Sequence, residues 1–445
     1  AKSSRCDQDA GQTQLPQRVI LAYRFQLRNE GSCNPGKLNA PVNVSITSLK
    51  LEIILMKPPF APLEYKTRLE KVTDAMSERN LDALVIGDPA NMNWLTGFDA
   101  WSFYVPQIML VLHDHPPIWM GRKMDAGAVS LTTYLGPESV SAYPEHLVQH
   151  PDVHPMEYIA KQLGELGLDG KHIGYEGDTY YFSPKALFCL QKTLPNARWL
   201  DADLLVNWCR AIKSDTEIHL MRQAARLVEG AMQIAYDTIA PGIRQCDLMS
   251  EVLSAQVGGN NEFGGDLTAL SPLILAGEAA TTAHPMWTDE SFLDGQTVAL
   301  ELGGSRRRYN AGLARTVQLG KGSAAVFDTA NAVEEGLNAV LQTIRPGVPA
   351  GEVHRAWQTI LDKHGLLKES RIGYAIGVGY SPDWGEHTVS LRADEKTSLE
   401  TNMTLHIMLG MWLENWGMEL SETVVVTNDG AECLTQFNRA IHVVD

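Results

Sequence analysis

The chain has 445 residues, which is enough for two or three domains and a large hydrophobic core. Its net charge of −16 argues against a nucleic-acid partner, because phosphate binding requires clustered Lys and Arg. It contains neither an apolar run of the roughly twenty residues that span a bilayer nor the basic and apolar pattern of a signal peptide. We therefore expect a cytoplasmic protein that binds neither nucleic acid nor membranes.

The cysteines are scattered along the chain and form no CxxC pair. This spacing favours reduced thiols over a disulfide framework or a zinc site. The six positions are Cys6, Cys33, Cys189, Cys209, Cys246 and Cys433.

The first part of the chain divides into two segments. Residues 1–55 have no sustained periodicity, so we expect a poorly ordered extension without a function. An amphipathic helix follows, with apolar residues spaced by three and four over 65–76. Strand patterns cover 84–86 and 107–112. Helix and strand patterns alternate further, which predicts an α/β domain over 56–208.

An internal repeat is the most informative feature of the remaining chain. Residues 225–243 and 330–348 match at a constant offset of 105 residues. The first copy lies in a long helix that begins with a capping box of Ser214 and Glu217. Each copy precedes strand-like segments, at 272–276 and 297–318 in the first half and at 403–412 and 417–427 in the second. The repeat predicts two pseudo-symmetric helix-plus-hairpin halves around a shared central site.

This architecture resembles the pita-bread fold of methionine aminopeptidases, prolidases and creatinase. The supporting segments are 91–98, 212–225, 314–320 and 422–430. The resemblance implies an α+β protein, in which an N-terminal creatinase-like α/β domain (56–208) precedes a pita-bread catalytic domain (209–445). Metallopeptidases of this fold hold two divalent ions with two Asp, one His and two Glu.

Tracing those five ligand positions indicates that the metal site has been lost. The positions correspond here to Glu301, Gly312, Tyr374, Met408 and Ser421. Only Glu301 keeps a charged ligand atom, and a hard dication needs several oxygen or imidazole ligands at once. We therefore expect no metal and no other cofactor. Creatinase also works without a metal, so the loss does not imply an inactive protein.

Within this metal-free branch, residues 88–107, 276–285 and 372–386 resemble the ectoine hydrolases. The resemblance implies metal-independent hydrolysis of the cyclic amidine C–N bond of ectoine, giving an N-acetyl-L-2,4-diaminobutanoate; whether hydroxyectoine is also a substrate stays open. Three alternatives stay open. They are a creatinase-like hydrolase of another amidine or guanidine, a metal-dependent Xaa-Pro peptidase, and a non-enzymatic protein-binding module.

Glu301 is the predicted catalytic carboxylate. An amidinium cation offsets the cost of burying its charge and keeps it ionised. It then either attacks the amidine carbon, which we favour, or activates a water as general base. The structural alternative is a residual carboxylate that accepts hydrogen bonds from the backbone.

His284 is the second predicted catalytic residue. It falls at the position of a histidine that creatinase uses for proton transfer, so the resemblance implies that it protonates the leaving nitrogen. An ordinary histidine pKa suits this role. The alternative is a structural histidine hydrogen-bonded to a loop.

Further residues are predicted to bind the substrate. Tyr374, Met408 and Ser421 occupy former ligand positions and are expected to shape the pocket. Strand alternation places His406 on the face of Met408 and Glu419 on the face of Ser421, where each either lines the cavity or is a satisfied interior residue.

A loop and an aromatic cluster complete the predicted site. The loop 381–386 contains Asp383 and Glu386 and is expected to act either as a lid or as a solvated turn. In creatinase the N-terminal domain of one subunit closes the pocket of its partner. By resemblance, we expect a homodimer in which an aromatic cluster has this role, and a downstream deacetylase as a further partner. The cluster comprises Trp101, Phe103 and Tyr104.

Overall fold

Two β-sheets organise the chain in the computed structural model, which describes residues 58–445. The predicted extension 1–55 lies outside these residues. The helices are α1 (Pro62–Glu78), α2 (Pro89–Thr96), α3 (Gly127–Thr132), α4 (Pro155–Glu165), α5 (Pro184–Thr193), α6 (Leu205–Cys209), α7 (Asp215–Thr238), α8 (Gln245–Gly258), α9 (Ala324–Thr343) and α10 (Ala350–His364). The strands are β1 (Ala83–Ile86), β2 (Ile108–Leu112), β3 (His115–Arg122), β4 (Val140–Tyr143), β5 (His172–Tyr175), β6 (Arg198–Asp201), β7 (Leu273–Ala276), β8 (Thr297–Arg306), β9 (Tyr309–Leu319), β10 (Gly373–Tyr380), β11 (Asp383–Ser390), β12 (Thr404–Trp412), β13 (Gly417–Thr427), β14 (Gly430–Cys433) and β15 (His442–Val444).

The first sheet has six strands in the order β4-β3-β2-β1-β5-β6. The β1–β2 and β2–β3 pairs are antiparallel, and the other pairs are parallel. Helix α1 buries Tyr65, Val72 and Met76, because their spacing puts them on one face of the helix. All four residues of β1 are buried. The predicted helix and the first predicted strand are therefore confirmed.

The second sheet has nine strands, and the helices that contain most of the two repeat copies, α7 and α9, pack against it. Its central path is β14-β13-β12-β10-β9-β8-β7, with β11 beside β10 and β15 beside β9. Helix α7 begins with the predicted capping box. It packs against α8 and the β8–β9 hairpin, whereas α9 packs against α10 and the strands β12 to β14. The two helix-plus-hairpin halves and the α+β class are confirmed.

The segment predicted to be a lid is a strand instead. Ser381 and Pro382 form the turn, and β11 begins at Asp383 and pairs with β10. The Trp384 side chain is buried against the inner face of the sheet, and its indole N–H donates to the Tyr374 hydroxyl at 2.9 Å. Strand pairing and this buried indole hold the segment in place, so the lid prediction is wrong.

Two further properties concern the described residues as a set. No helix within 58–445 is long and apolar enough to cross a membrane. The cysteines in this range are all free thiols, at Cys189, Cys209, Cys246 and Cys433.

Candidate active site

The strands β8, β9, β12 and β13 bring the predicted site residues together. Glu301 on β8 pairs in register with Ala314 on β9. The Ala314 amide donates to the Ser421 hydroxyl on β13 at 2.6 Å, and Ser421 pairs with Met408 on β12. Three of the five former ligand positions therefore lie close together, although more than a hundred residues separate Glu301 from the other two.

Glu301 is a buried carboxylate without a protein donor. Only 4% of the residue is exposed, and no hydrogen bond from residues 58–445 reaches its side chain. Burial, and then the negative charge of Asp383, raise the pKa of Glu301 to about 7. A small change in its surroundings therefore determines whether this carboxyl group is charged at neutral pH.

Glu419 is a second buried carboxylate directed at the same centre. It lies two residues before Ser421 on β13, and 1% of it is exposed. Its Oε2 atom has no hydrogen-bond partner among the described residues. Burial, followed by the negative charge of Glu301, raises the pKa of Glu419 well above its ordinary value, against the opposing positive charge of Lys368. Burial and the neighbouring charge of Glu301 therefore favour the protonated form of Glu419.

A chain of hydrogen bonds crosses the floor of the site. His406 is fully buried, with Nε2 2.8 Å from the Ser421 hydroxyl and Nδ1 3.3 Å from the Tyr374 hydroxyl. Burial, and then the positive charge of Arg371, lower the pKa of His406 to about 3. The imidazole is therefore neutral, and each of its nitrogens has a hydroxyl partner. This arrangement fixes the position of Tyr374.

Aromatic rings fill the space beside the second former ligand position. A Cβ atom at Gly312 would lie 2.9 Å from the His406 ring and 3.1 Å from the Trp384 indole. A Cβ atom at Gly303 would lie 2.5 Å from the same indole. Side chains larger than glycine therefore have no room here, and an aspartate at Gly312 would clash with the imidazole.

These donors do not fit a pair of divalent ions. Within residues 58–445, no group of three or more His, Cys, Asp or Glu side chains has a geometry that holds a metal ion. Two carboxylates with a neutral, hydroxyl-bonded imidazole supply too few free ligands for two hard dications.

A cleft of about 270 Å³ borders the site at Tyr374 and Asp383, and it contains charged groups of both signs. Asp383 and His387 form an ion pair at 3.0 Å. Their hydrogen bond raises the pKa of His387, and it helps to lower that of Asp383 although burial acts in the opposite direction. The guanidinium of Arg371 lies 4.4 Å from the Tyr374 ring centroid and forms no ion pair with a carboxylate of the described chain. Arg392, in the same cleft, pairs with Asp394 at 3.3 Å.

The geometry does not bring Glu386 to this cluster. Its side chain is buried, and its two carboxylate oxygens bind Arg210 at 3.0 Å and Lys213. With both oxygens engaged, we assign Glu386 to the packing between the two sheets, which corrects its predicted role as a substrate contact.

His284 and two residues of the aromatic cluster are exposed, unlike the two carboxylates. His284 is exposed in the loop after the 3₁₀ turn Gly277–Thr281, and its side chain makes no hydrogen bond within the described residues. Trp101 and Tyr104 are exposed, whereas Phe103 packs against Tyr380 of the same chain. Their proposed roles in proton transfer and in closing a partner's site stay predictions.

Arg371 and Lys368 were not predicted from the sequence. Both precede β10 and carry no motif, so the one available signal was an isolated cation just before a strand that contributes to the site. Lys368 is buried, donates to the Gly410 carbonyl at 2.6 Å, and has a pKa lowered to about 8, chiefly by burial. Glu419 was placed on the correct face by strand alternation, but its missing partners were not foreseeable.

Comparisons with known proteins agree with this architecture. The chain is 41% identical to ectoine hydrolase of Halomonas elongata over 88% of its own length and 100% of that protein. It is 40% identical to the uncharacterized hydrolase/peptidase y4tM of Sinorhizobium fredii, over 87% of its length and 99% of that protein. Recombinant prolidase from Thermococcus sibiricus has a similar fold, with a TM-score of 0.75 at 18% identity over 86% of this chain and 100% of that one.

Two family descriptions match the two parts of the chain. Residues 68–212 match the creatinase/prolidase N-terminal domain, and residues 219–428 match metallopeptidase family M24. Together with the relatives above, these matches show that the chain belongs to the M24 and creatinase-like family of hydrolases.

Proposed function

We propose that this hydrolase opens the cyclic amidine ring of ectoine, without a metal, to an N-acetyl-L-2,4-diaminobutanoate. The observation that carries the proposal is the pair of buried carboxylates, Glu301 and Glu419, whose side chains accept no hydrogen bond from the described protein. Buried carboxylates without donors are costly. A bound amidinium cation, with N–H groups on both sides of its reactive carbon, offsets that cost.

Glu301 performs the first step of the proposed reaction. When the amidinium binds, its positive charge lowers the pKa of Glu301 and keeps the group ionised. A Glu301 oxygen then bonds to the amidine carbon, and the electron pair of the C=N bond moves to nitrogen. Water later replaces Glu301 on this carbon. The alternative, in which Glu301 removes a proton from an attacking water, consumes the same single water.

Arg371 binds the substrate carboxylate in this proposal. Among residues 58–445 it is the cation of the cleft without a carboxylate partner, and its guanidinium lies 4.4 Å from the Tyr374 ring centroid. A guanidinium suits planar, two-point binding of a carboxylate. The substrate is then oriented by charge, with its cationic ring inward and its anionic group in the cleft.

We also propose a cytoplasmic homodimer in which the cluster of Trp101, Phe103 and Tyr104 closes the partner's site. The exposure of Trp101 and Tyr104 supports this assignment, since large exposed aromatic residues are typical of contact surfaces. The product is an N-acetyl amino acid, so a deacetylase is the enzyme class expected to consume it. Sedimentation of the full chain, and of a variant with Trp101→Ala and Tyr104→Ala, tests the dimer.

The decisive experiment incubates metal-stripped protein with ectoine, hydroxyectoine, creatine and a Xaa-Pro dipeptide, and identifies products by mass spectrometry. We expect ring opening of ectoine at an unchanged rate after chelation, and none with Glu301→Gln. Mass spectrometry of the protein should also find an adduct on the peptide that contains Glu301. Cleavage of only the dipeptide, or activity that returns only with added metal, would contradict the proposal.

A further inference from the structure

We propose that Glu419 is the general acid that protonates the leaving nitrogen of the substrate. This inference rests on the proposed ring-opening reaction and names the proton donor for the same site. Glu419 stands on β13, a different strand from Glu301 on β8, so the two carboxyl groups approach the centre from separate elements of the sheet.

The Glu419 backbone is held rigidly, whereas its side chain has no protein partner. The Thr316 hydroxyl on β9 accepts from the Glu419 amide and donates to the Glu419 carbonyl, each at 2.9 Å. In contrast, the carboxyl Oε2 is buried and unpartnered among the described residues. Buried polar atoms in folded proteins nearly always have a partner. The Glu419 Oε2 atom stands on a fixed backbone near Glu301, the predicted nucleophile. It is therefore suited to bind a polar group of the substrate.

The charges around Glu301 and Glu419 influence which of the two carboxyl groups holds a proton. The groups whose charges act on Glu419 are Glu301, which opposes its ionisation, and Lys368, which favours it. Two carboxyl groups that share a low-dielectric centre do not both ionise readily, so one retains a proton. Burial and the Glu301 charge favour keeping that proton on Glu419, whereas the pKa of Glu301 is raised only to about 7. Glu301 is therefore the more readily ionised group of the pair, and Glu419 is the one suited to act as the acid.

The proton moves from Glu419 to the substrate as the C–N bond breaks. In the tetrahedral intermediate the amidine carbon bears a new C–O bond and two nitrogens. When the C–N bond breaks, its electron pair stays on the leaving nitrogen, which takes the proton from Glu419 Oε2. The remaining nitrogen forms a C=N bond to the amidine carbon, and a water bonds to this carbon while giving one proton to Glu419. The C–O bond to Glu301 then breaks, and its electron pair returns to the Glu301 carboxylate. The hydroxyl proton passes to the released amine, which leaves an amide and an ammonium group. One water is consumed, and both acids return to their starting states.

His284 is the competing donor. Its exposed position and lack of side-chain hydrogen bonds within residues 58–445 contrast with the buried acid beside Glu301. The two assignments differ in the alkaline side of the pH–rate profile, because a general acid must remain protonated to act. If Glu419 is the donor, the rate falls at high pH as Glu419 loses its proton. This alkaline limb of the profile then depends on residue 419.

The experiment compares pH–rate profiles of the wild type, Glu419→Gln, Glu419→Asp and His284→Gln with ectoine as substrate. For Glu419→Gln we expect kcat to fall by about 10²–10⁴-fold, the usual contribution of a general acid, with loss of the alkaline limb. Glu419→Asp, which keeps an acid but shortens it, should recover part of kcat and retain the limb. His284→Gln should keep the limb.

A Lys368→Met variant distinguishes titration of Glu419 from titration of Lys368, which lies near the same centre. Removing the positive charge should move the limb to higher pH without abolishing it, because the charge of Lys368 favours ionisation of Glu419. Thermal unfolding checks that each variant is folded; if Glu419→Gln does not fold, Glu419→Asp and Lys368→Met still test the assignment through the position of the limb.

Three results would overturn the inference: Glu419→Gln within twofold of wild-type kcat, an alkaline limb that survives in Glu419→Gln, or a limb that disappears in His284→Gln. A wild-type protein that fails to open ectoine would instead refute the proposed function itself.

Discussion

Glu301 combines burial with the absence of protein donors, and this combination sets the pH dependence expected of the enzyme. Its pKa is raised to about 7, first by burial and then by Asp383. Only the ionised form attacks or accepts a proton. We therefore expect kcat/KM to rise as the pH increases through about 7, because this parameter reports the free enzyme.

Steady-state kinetics at constant ionic strength measure this rise. An Asp383→Asn variant removes one source of the raised pKa of Glu301 and should shift the rise to lower pH. The prediction is wrong if kcat/KM stays flat between pH 5 and 8, or if Asp383→Asn shifts the rise upward.

Arg371 and Arg392 offer a matched pair of cations in one cleft. Arg371→Gln is expected to raise the KM for ectoine by about 10–100-fold, the value of a hydrogen bond to a charged group. Arg392→Gln should change KM much less, since Arg392 already pairs with Asp394. The control substrate is the same cyclic amidine without its carboxylate, for which Arg371→Gln should have little effect. An equal loss for both substrates would contradict carboxylate binding by Arg371.

At the scale of the element, β9 must pass close to two aromatic rings. Gly312→Ala brings a methyl group to 2.9 Å from the His406 ring, which has no free space to move into. We expect destabilisation of about 1–3 kcal/mol, as is usual for overpacking, together with reduced activity because His406 positions Tyr374.

Gly230 in helix α7 supplies the control, since a Cβ atom there meets nothing within 4 Å. Gly230→Ala should stabilise the protein by about 0.5–1 kcal/mol, because alanine loses less conformational entropy in a helix. Urea unfolding of the two variants measures the contrast. A Gly312→Ala protein as stable as the wild type would show that the ring has room to move.

On the scale of the whole molecule, a buried polar network joins the two sheets. Arg210 donates to Asn91 at 2.8 Å, to the Val378 carbonyl at 3.0 Å and to Glu386 at 3.0 Å. Glu176 accepts from Asn91 and from the amide of Asp88, whose own side chain is half-buried. The network therefore connects α2 and the first sheet to β10 and β11, next to the cleft.

This network predicts how stability depends on pH. Burial, and then the charge of Asp88, raise the pKa of Glu176 to about 8. Because the folded pKa lies above the unfolded one, the stabilisation is complete below about pH 4.5 and is lost as the pH rises through about 8. Asp88→Asn keeps the helix cap that accepts from the Ala90 amide but removes the charge, so it should weaken the alkaline loss of stability.

Urea unfolding at pH 5, 7 and 9 measures the free energy of unfolding for both proteins. The wild type should lose more stability than Asp88→Asn between pH 5 and 9. If the free energies of unfolding of the two proteins change equally with pH, the interaction between Asp88 and Glu176 does not cause the alkaline loss of stability.

Much of the fold was predictable from local patterns. The spacing of apolar residues in α1 and α7, the capping box at Ser214 and the repeat at an offset of 105 residues are properties of neighbouring positions, and backbone geometry converts them directly into helices and hairpins. Tracing the five metal-ligand positions of the family along the sequence predicted that Glu301 lies in the central site. It also predicted that the other four ligands are replaced. These features required no knowledge of distant contacts.

The tertiary structure alone decided the protonation and pairing of the site residues. Glu386 binds Arg210 and Lys213, more than 170 residues earlier in the chain, whereas Glu419 has no partner for its Oε2. Both are glutamates on strands and look equivalent in the sequence. Burial and the charges that surround a carboxyl group set its pKa, and both depend on which distant strands fold against it. The sequence by itself therefore determined which acids are present, and the packing of the sheet determined which of them forms ion pairs and which is buried without a partner among the described residues.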